Sequence, residues 1–307
     1  TEADGTVNQL NCPKLLISAD NHFLLKGDVS LQDLSHPQDA YIFGNLSNLY
    51  ADPDGIAFFV RNLSKDYKGV PPALQHLGTI SFRGEISGYF TDLVTYGEVR
   101  TDIGTVKTDV KFSSDKEKGY FSYSGAVKTA EFELGKLLAN DKFGKVTFNM
   151  DVKGSHYAKR YPSVTMKGLV ASIDYSDYTY ENITLDGEYK QGGFNGNVSF
   201  DDENGAIQLN GSINTAGKIP TFNFRADVDH FRPNTLHLTP KYKDTEISVK
   251  IKADFTGSSI NDMNGEINID SLQYTAPDQS FFMDNLRIAA TQNDERQKRL
   301  TINSNFL

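Results

Sequence analysis

Three stretches decide the fold of this chain: Ile80–Gly88 (ISFRGEISG), Val146–Gly154 (VTFNMDVKG) and Val249–Gly257 (VKIKADFTG). In each stretch, apolar or small residues alternate with polar ones, so every second side chain lies on the same side of an extended strand. Each stretch also ends in glycine, which predicts a turn or bulge where the strand stops. The recurrence predicts an elongated β assembly in which each unit packs against its neighbours.

The rest of the sequence is also typical of short strands joined by tight turns. Its 307 residues include 20 Phe and 15 Tyr but no Trp. Within residues 182–228, four apolar runs are separated by turn residues, as in the segments 191–193, 201–205 and 214–217. Regularly spaced turns of this kind indicate an antiparallel meander. We therefore predict an all-β, mostly antiparallel fold with a few short helices.

The best helix candidate covers residues 52–63. Asp52 is a suitable N-cap, because its carboxylate can accept a hydrogen bond from an unpaired backbone N–H. Pro53 is a suitable first residue, because no backbone donor is needed there. An apolar stripe follows at Ile56, Phe59, Val60 and Leu63. Two shorter helical turns are predicted at 134–140 and 231–238.

Composition excludes several classes of function. The formal net charge is -9 and no basic run is present, which argues against a nucleic-acid partner. A single cysteine, Cys12, cannot form an internal disulfide, and no apolar stretch approaches the roughly 20 residues of a membrane span. Because the chain starts at Thr1 without Met, we interpret it as a mature form or a fragment of a longer chain.

Known catalytic and metal-binding motifs are missing from the sequence. There is no nucleophile elbow, phosphate-binding loop, dinucleotide fingerprint or paired cysteine. His230 and His237, near Asp227 and Asp229, could in principle bind a metal, but a solvated loop is the preferred interpretation. The segments 52–55 and 201–205 resemble parts of calcium loops; we interpret them as a helix cap and a hairpin turn. We predict no catalytic residue, no metal site and no cofactor.

A tyrosine cluster offers two interpretations. Tyr175, Tyr178, Tyr180 and Tyr189 could form a platform on which sugars stack, or they could pack on a strand face. We favour packing.

Several segments resemble, in the same order, recurrent segments of the TamB family, especially its Bacteroidetes branch within the AsmA-like superfamily. These segments are residues 77–88, 96–106, 132–144, 180–187, 195–201 and 260–268. The resemblance implies a large Gram-negative envelope protein, anchored in the inner membrane by a helix absent here. Such a protein crosses the periplasm as a long curled sheet, an open β-groove with a hydrophobic interior. It also implies a link to outer-membrane biogenesis and to phospholipid passage, with outer-membrane assembly machinery as a partner through parts missing from this chain.

The resemblance suggests three groove units, at residues 1–140, 141–240 and 241–307, the last one partial. It also gives the alternating apolar residues a use, because a curled sheet that does not close would present them to acyl chains. The same residues could instead pack against each other in a closed core; the resemblance favours the groove. The predicted lining residues are Ile80, Phe82, Ile86, Val106, Val110, Phe112, Val146, Phe148, Met150, Val152, Val198, Phe200, Ile207, Leu209, Phe222, Phe224, Val249, Ile251 and Phe255.

The leading hypothesis is therefore a non-enzymatic periplasmic protein that carries phospholipid, or another acyl-chain lipid, between the membranes. The alternatives are a scaffold or adhesin-like β module that acts through protein contacts, and a carbohydrate-binding β-solenoid. An exposed aromatic patch around residues 175–180 would favour the scaffold. Paired carboxylates in a cleft would favour activity on carbohydrate.

Overall fold

The structure is a computed structural model that describes residues 2–6, 8–36, 39–63, 72–115, 119–157, 163–259, 261–292 and 298–305. The chain forms two compact units, unit 1 over Thr1–Arg160 and unit 2 over Tyr161–Leu307. Among the described residues, each unit has nine β-strands.

Unit 1 begins with four strands and then has two helices before the sheet continues. The elements are β1 (Asp4–Thr6), β2 (Gln9–Ala19), β3 (Phe23–Gln32), β4 (Tyr41–Ala51), α1 (Pro53–Leu63), α2 (Pro72–Gln75), β5 (Ile80–Tyr89), β6 (Asp92–Thr101), β7 (Gly104–Asp115), β8 (Tyr120–Glu133), α3 (Leu134–Leu138) and β9 (Phe143–Tyr157).

Unit 2 consists of strands joined by turns. They are β10 (Ser163–Tyr175), β11 (Tyr178–Lys190), β12 (Gly193–Asp202), β13 (Gly205–Asn214), β14 (Thr221–Phe231), β15 (Glu246–Thr256), β16 (Asn264–Ala276), β17 (Gln279–Gln292) and β18 (Lys298–Asn303).

Within each unit, every strand pairs antiparallel with the next strand along the chain. Among the described residues, no ladder joins the first strand of a unit to its last, so each sheet is open. The predicted class is thus confirmed: all-β and antiparallel, with open sheets and a few short helices.

Several hairpins close through two residues with positive φ. Asp20 and Asn21 have φ of 41° and 64°, Ser176 and Asp177 have 52° and 64°, and Gln191 and Gly192 have 53° and 72°. Positive φ at both central residues matches the turn to the right-handed twist of the strands it connects. The last of these hairpins lies at the turn predicted at 191–193.

Bulges keep the apolar side chains on one face where the alternation is interrupted. The β2–β3 register shifts between Cys12 and Leu15, where Lys14 has a φ of 60° and its N–H donates to Asp28. In β8 the register shifts between Thr129 and Phe132, where Glu131 has a φ of 50°. An inserted residue of this kind lets the next apolar side chain return to the same face.

The prediction that glycine ends each repeated strand is wrong in two of the three copies. β5 runs past Gly88 to Tyr89, and β9 runs past Gly154 to Tyr157; only β15 stops, at Thr256, just before Gly257. The physical reason at Gly154 is close packing, because a Cβ there would collide with the Tyr123 ring on β8. Glycine inside these strands makes room for a neighbour.

The helices lie close to where the sequence predicts them. α1 starts at Pro53, and the Gly55 N–H donates to Asp52 Oδ1 at 2.8 Å, so Asp52 is the N-cap. Side chains from residue 59 to residue 63 lie outside the described residues, and so does most of the predicted stripe. α3 covers Leu134–Leu138 and ends at Ala139 in the left-handed conformation. The segment 233–237 forms turns rather than a helix.

The boundaries predicted at 140/141 and 240/241 each fall between two strands that pair with each other. β8 pairs with β9 across the first, and β14 pairs with β15 across the second. The boundary between the two compact units falls instead at 160/161.

Candidate functional site

The predicted lining residues of unit 1 share one face of its sheet. In the β5–β6 ladder, Phe82 lies opposite Val99, and Val99 lies opposite Val106 in the β6–β7 ladder. Val106 continues to Thr129 and then to Phe148. Directly opposite residues point to the same side of a sheet. The residues on this side, which we call the apolar face of unit 1, include Ile80, Phe82, Ile86, Val106, Val110, Phe112, Val146, Phe148, Met150 and Val152.

A cavity of about 520 Å³ lies on this apolar face over strands β3–β6. Among the described residues, every lining side chain is hydrocarbon, and none is charged or polar. The lining residues are Phe23, Leu25, Val29, Ile42, Gly44, Leu46, Leu49, Ala51, Ile56, Ile80, Phe82, Ile86, Phe90 and Leu93. Its volume is within the range of small-molecule sites, about 300–1,000 Å³.

The sequence analysis found only part of this cavity. Ile80, Phe82 and Ile86 line it, but the contributions of β3 and β4 were missed. The alternation of Phe23, Leu25, Gly27 and Val29 is the signal that could have identified β3 as a further wall.

The floor of the cavity is a buried cluster of neighbouring strands. Val29, Leu46 and Phe82, on β3, β4 and β5, are each less than 9% exposed. The Phe82 ring lies over two glycines, since a Cβ on Gly97 would come within 2.8 Å of it and one on Gly84 within 3.0 Å. The paired glycines therefore let the aromatic ring lie flat on the sheet and complete the floor.

Helix α1 borders the cavity, since Ile56 is among its lining residues. Its N-terminus is held to the β2–β3 turn, because the Asp52 N–H donates to the His22 carbonyl at 3.1 Å. His22 Nδ1 also lies 2.6 Å from Asp52 Oδ2. The hydrogen bond and charge of Asp52 raise the pKa of His22, and the Gly55 N–H and His22 together lower the pKa of Asp52.

The predicted residues of unit 2 also share one face. Val198 lies opposite Leu209 and Phe200 opposite Ile207; the same rows continue through β14 to Ile251 and Val249. We call this side the apolar face of unit 2. The predicted members are Val198, Phe200, Ile207, Leu209, Phe222, Phe224, Val249, Ile251 and Phe255.

Large aromatic side chains pack against one another on the apolar face of unit 2. The rings of Phe222 and Phe255 are stacked, with centroids 4.7 Å apart. Tyr180 packs on Phe200 at 5.6 Å and on Tyr178 at 4.8 Å.

Two of the four predicted tyrosines, Tyr178 and Tyr180, are packed as the preferred interpretation had it, whereas Tyr189 is 49% exposed. The Tyr180 hydroxyl donates to the Leu236 carbonyl at 2.6 Å, and the Tyr178 hydroxyl donates to Asp202 at 2.5 Å. Burial and the nearby Asp202 carboxylate raise the pKa of Tyr178 to about 12. These contacts use the polar atoms that a sugar-stacking platform would present.

The histidines of the suspected metal site have separate partners. His230 is not in a loop but at a bulge of β14, with Nε2 3.2 Å from the Asp202 carbonyl. His237 Nδ1 lies 3.0 Å from the Ser176 carbonyl. The segment 201–205 is the β12–β13 turn, as predicted.

One group that the sequence analysis missed, His22, Asp52 and Asp54, brings its ligand-type atoms within 4.8 Å of one another. Both Asp52 oxygens already accept hydrogen bonds, one from the Gly55 N–H and one from His22. This is the arrangement of a helix cap held by an ion pair.

Searches of protein-family models, of curated proteins and of solved structures find no match to this chain. Among the described residues, no helix is both long enough and apolar enough to span a membrane. The resemblance to the TamB family accordingly stays a prediction.

Proposed function

We propose that the protein is a non-enzymatic carrier of lipid, which holds an acyl chain of a phospholipid in the cavity of unit 1. The observation that supports this proposal is the lining of that cavity, which consists of hydrocarbon side chains throughout the described part of the chain. Polar or charged substrates would lose their hydration there without gaining a hydrogen bond. Acyl chains instead gain about 0.8 kcal/mol for each methylene group that leaves water.

The volume of the cavity defines how much lipid it holds. A methylene group takes about the room of a water molecule, ~30 Å³. At about 520 Å³, the cavity therefore has space for one long acyl chain rather than two. The second chain and the head group of a phospholipid would lie outside it.

We place this activity in the periplasm of a Gram-negative cell. There the chain would serve outer-membrane biogenesis as part of a longer protein that meets the inner membrane and the outer-membrane assembly machinery. The support for this setting is the resemblance of the six sequence segments to the TamB family. The scaffold alternative has less support, because the aromatic patch that would favour it is packed against Phe200 and Leu236.

Photo-crosslinking from adjacent positions of one strand tests the proposal. Leu93 lines the cavity, whereas Val94 is 38% exposed on the opposite face of β6. We expect a benzophenone residue at position 93, but not at position 94, to capture phospholipid when the protein is produced in a Gram-negative envelope. Mass spectrometry of the adducts reads the result.

A variant that fills the cavity should lose lipid binding, which gives a second test of the proposal. Gly44 has room for a side chain, because a Cβ there would meet its nearest atoms at 3.6 Å. Gly44→Leu should reduce binding of a pyrene-labelled phosphatidylglycerol while the protein stays folded, and Val94→Asn should leave binding unchanged. Equal crosslinking at positions 93 and 94, or full binding by Gly44→Leu, would contradict the proposal.

A further inference from the structure

The face of unit 1 opposite to the cavity contains a second concave site, of about 690 Å³. Its side chains come from the alternate residues of β4–β9, such as Arg83 and Glu85, which lie between the apolar-face residues Phe82 and Ile86. We call it the polar depression. Its side chains are Asn45, Ser47, Arg83, Glu85, Tyr96, Glu98, Arg100, Lys107, Asp109, Lys128 and Asn149, with several backbone positions between them.

The polar depression contains cations that lack a close ion pair within the described residues, although Glu98 lies opposite both Arg83 and Lys107 in the ladders. Lys107 lies directly opposite Lys128 in the β7–β8 ladder, and like charges in such positions destabilise a sheet. Within the described part of the chain, the side chains of Lys107, Lys128 and Arg83 make no ion pair and no hydrogen bond. Arg100 is different, since its Nε lies 2.6 Å from Glu98. An anion placed between the lysines would relieve their repulsion.

Unit 2 offers a partial contrast. A depression of about 430 Å³ on its polar face contains Arg225, Lys250 and Lys252. Arg225 lies opposite Lys252 in the β14–β15 ladder, so like charges face each other there as well. Lys250 nevertheless lies 3.2 Å from Asp227, and Lys252 lies 2.9 Å from Asp270. Among the described residues, the two facing lysines of unit 1 have no such carboxylate partner.

An exposed aromatic ring and two amide side chains lie in the same depression as these cations. Tyr96 is 64% exposed, the most exposed of the large apolar and aromatic side chains described in this structure, although it stands in the middle of a sheet. Asn45 and Asn149 border the same depression. An aromatic ring offers a flat apolar surface to a sugar ring, and amides can both donate to and accept from its hydroxyl groups.

We propose that the polar depression of unit 1 binds an acidic carbohydrate. The sugar ring stacks on Tyr96, and its anionic group lies between Lys107 and Lys128 within reach of Arg83. The carboxylates of Glu85, Glu98 and Asp109 accept hydrogen bonds from sugar hydroxyls. Because these three acids nearly balance the four cations of the lining, the site favours sugars with widely spaced charges over densely charged polymers. The proposal uses neither the cavity nor lipid binding.

Calorimetric titration with defined oligosaccharides tests the proposal. An oligo-uronate and a phosphorylated oligosaccharide present the two possible anions, a neutral oligosaccharide of equal length lacks the charge, and inorganic phosphate lacks the sugar. We expect at least one of the acidic oligosaccharides to bind, and more weakly as salt is added. Lys107→Gln combined with Lys128→Gln, and separately Tyr96→Ala, should each weaken binding about tenfold, equivalent to about 1.4 kcal/mol.

Lys250→Gln is the matched control, because it removes a lysine from the polar depression of unit 2 and should leave binding unchanged. The two acidic oligosaccharides together identify whether a carboxylate or a phosphate is preferred. The proposal is overturned if neither acidic oligosaccharide binds, if the neutral sugar binds equally well, or if inorganic phosphate alone binds as tightly. Unchanged binding by the folded double-lysine variant would overturn it as well.

Discussion

The apolar faces of the two units are built from the same kind of alternating strand but are filled differently. Unit 1 places Leu25, Gly44, Leu49 and Ala51 around a cavity of about 520 Å³. Unit 2 places large rings in neighbouring rows, and Phe222 stacks on Phe255. Alternation therefore decides which side chains share a face, while their size decides how they pack on that face.

The largest expected loss of stability comes from removing the aromatic ring on the floor of the cavity in unit 1. Phe82→Ala should lower the free energy of unfolding by about 3–5 kcal/mol, because Phe82 is buried and covers two glycines that have no side chain of their own. Urea denaturation gives this value. A loss below about 1 kcal/mol would show that the Phe82 cluster is not the core of unit 1.

The corresponding change in unit 2, Phe255→Ala, should cost less. Its ring is half-buried, so we expect a loss of about 2 kcal/mol from reduced burial and from the missing stacked partner. The difference between the two variants, measured by the same denaturation, checks whether unit 1 depends on one central ring more than unit 2 does. Equal losses would contradict that view.

Much of this arrangement could be predicted from the sequence. The period-two pattern identified the strands and placed all the predicted lining residues of each unit on one face, and Asp52 and Pro53 identified the start of α1. These features depend on residues that are neighbours in sequence. The lipid-binding role that the pattern suggested stays a prediction.

The cavity and the polar depression could not be predicted in the same way. Each depends on which residues lie opposite one another across several strands, and bulges such as the one at Lys14 shift that register without a clear sequence signal. Lys107 and Lys128 show the problem well. Both look like ordinary surface lysines until the β7–β8 ladder places them side by side.

Replacing either of two glycines on the apolar face of unit 1 by alanine should change the stability by an intermediate amount, in opposite directions. A Cβ on Gly97 would collide with the Arg83 carbonyl, so Gly97→Ala should destabilise the protein by about 1–3 kcal/mol. A Cβ on Gly44 would make ordinary van der Waals contacts at 3.6 Å, and Gly44→Ala should stabilise the protein by about 0.4–1 kcal/mol through a less flexible unfolded chain. Thermal melts of both variants test the contrast, and it fails if the two shift the melting temperature in the same direction.

The smallest expected effect on stability concerns the His22–Asp52 contact, which holds the N-terminus of α1. Unit 2 has no comparable contact to test, because its described residues contain no helix. Because Asp52, with smaller contributions from Asp54 and Asp20, raises the folded-state pKa of His22 above 6.5, the stabilisation is fully present below pH 6.5. It is lost as the pH rises through the raised pKa. The lowered pKa of Asp52 has the opposite consequence, since its contribution is present above pH 3.8 and lost as the pH falls through that lowered value.

Because the stabilisation from His22 is lost at high pH, His22→Gln should lower the melting temperature at pH 6 and have little effect at pH 9. A difference between variant and parent that stays constant over this range would show that the charge of His22 does not contribute to holding α1.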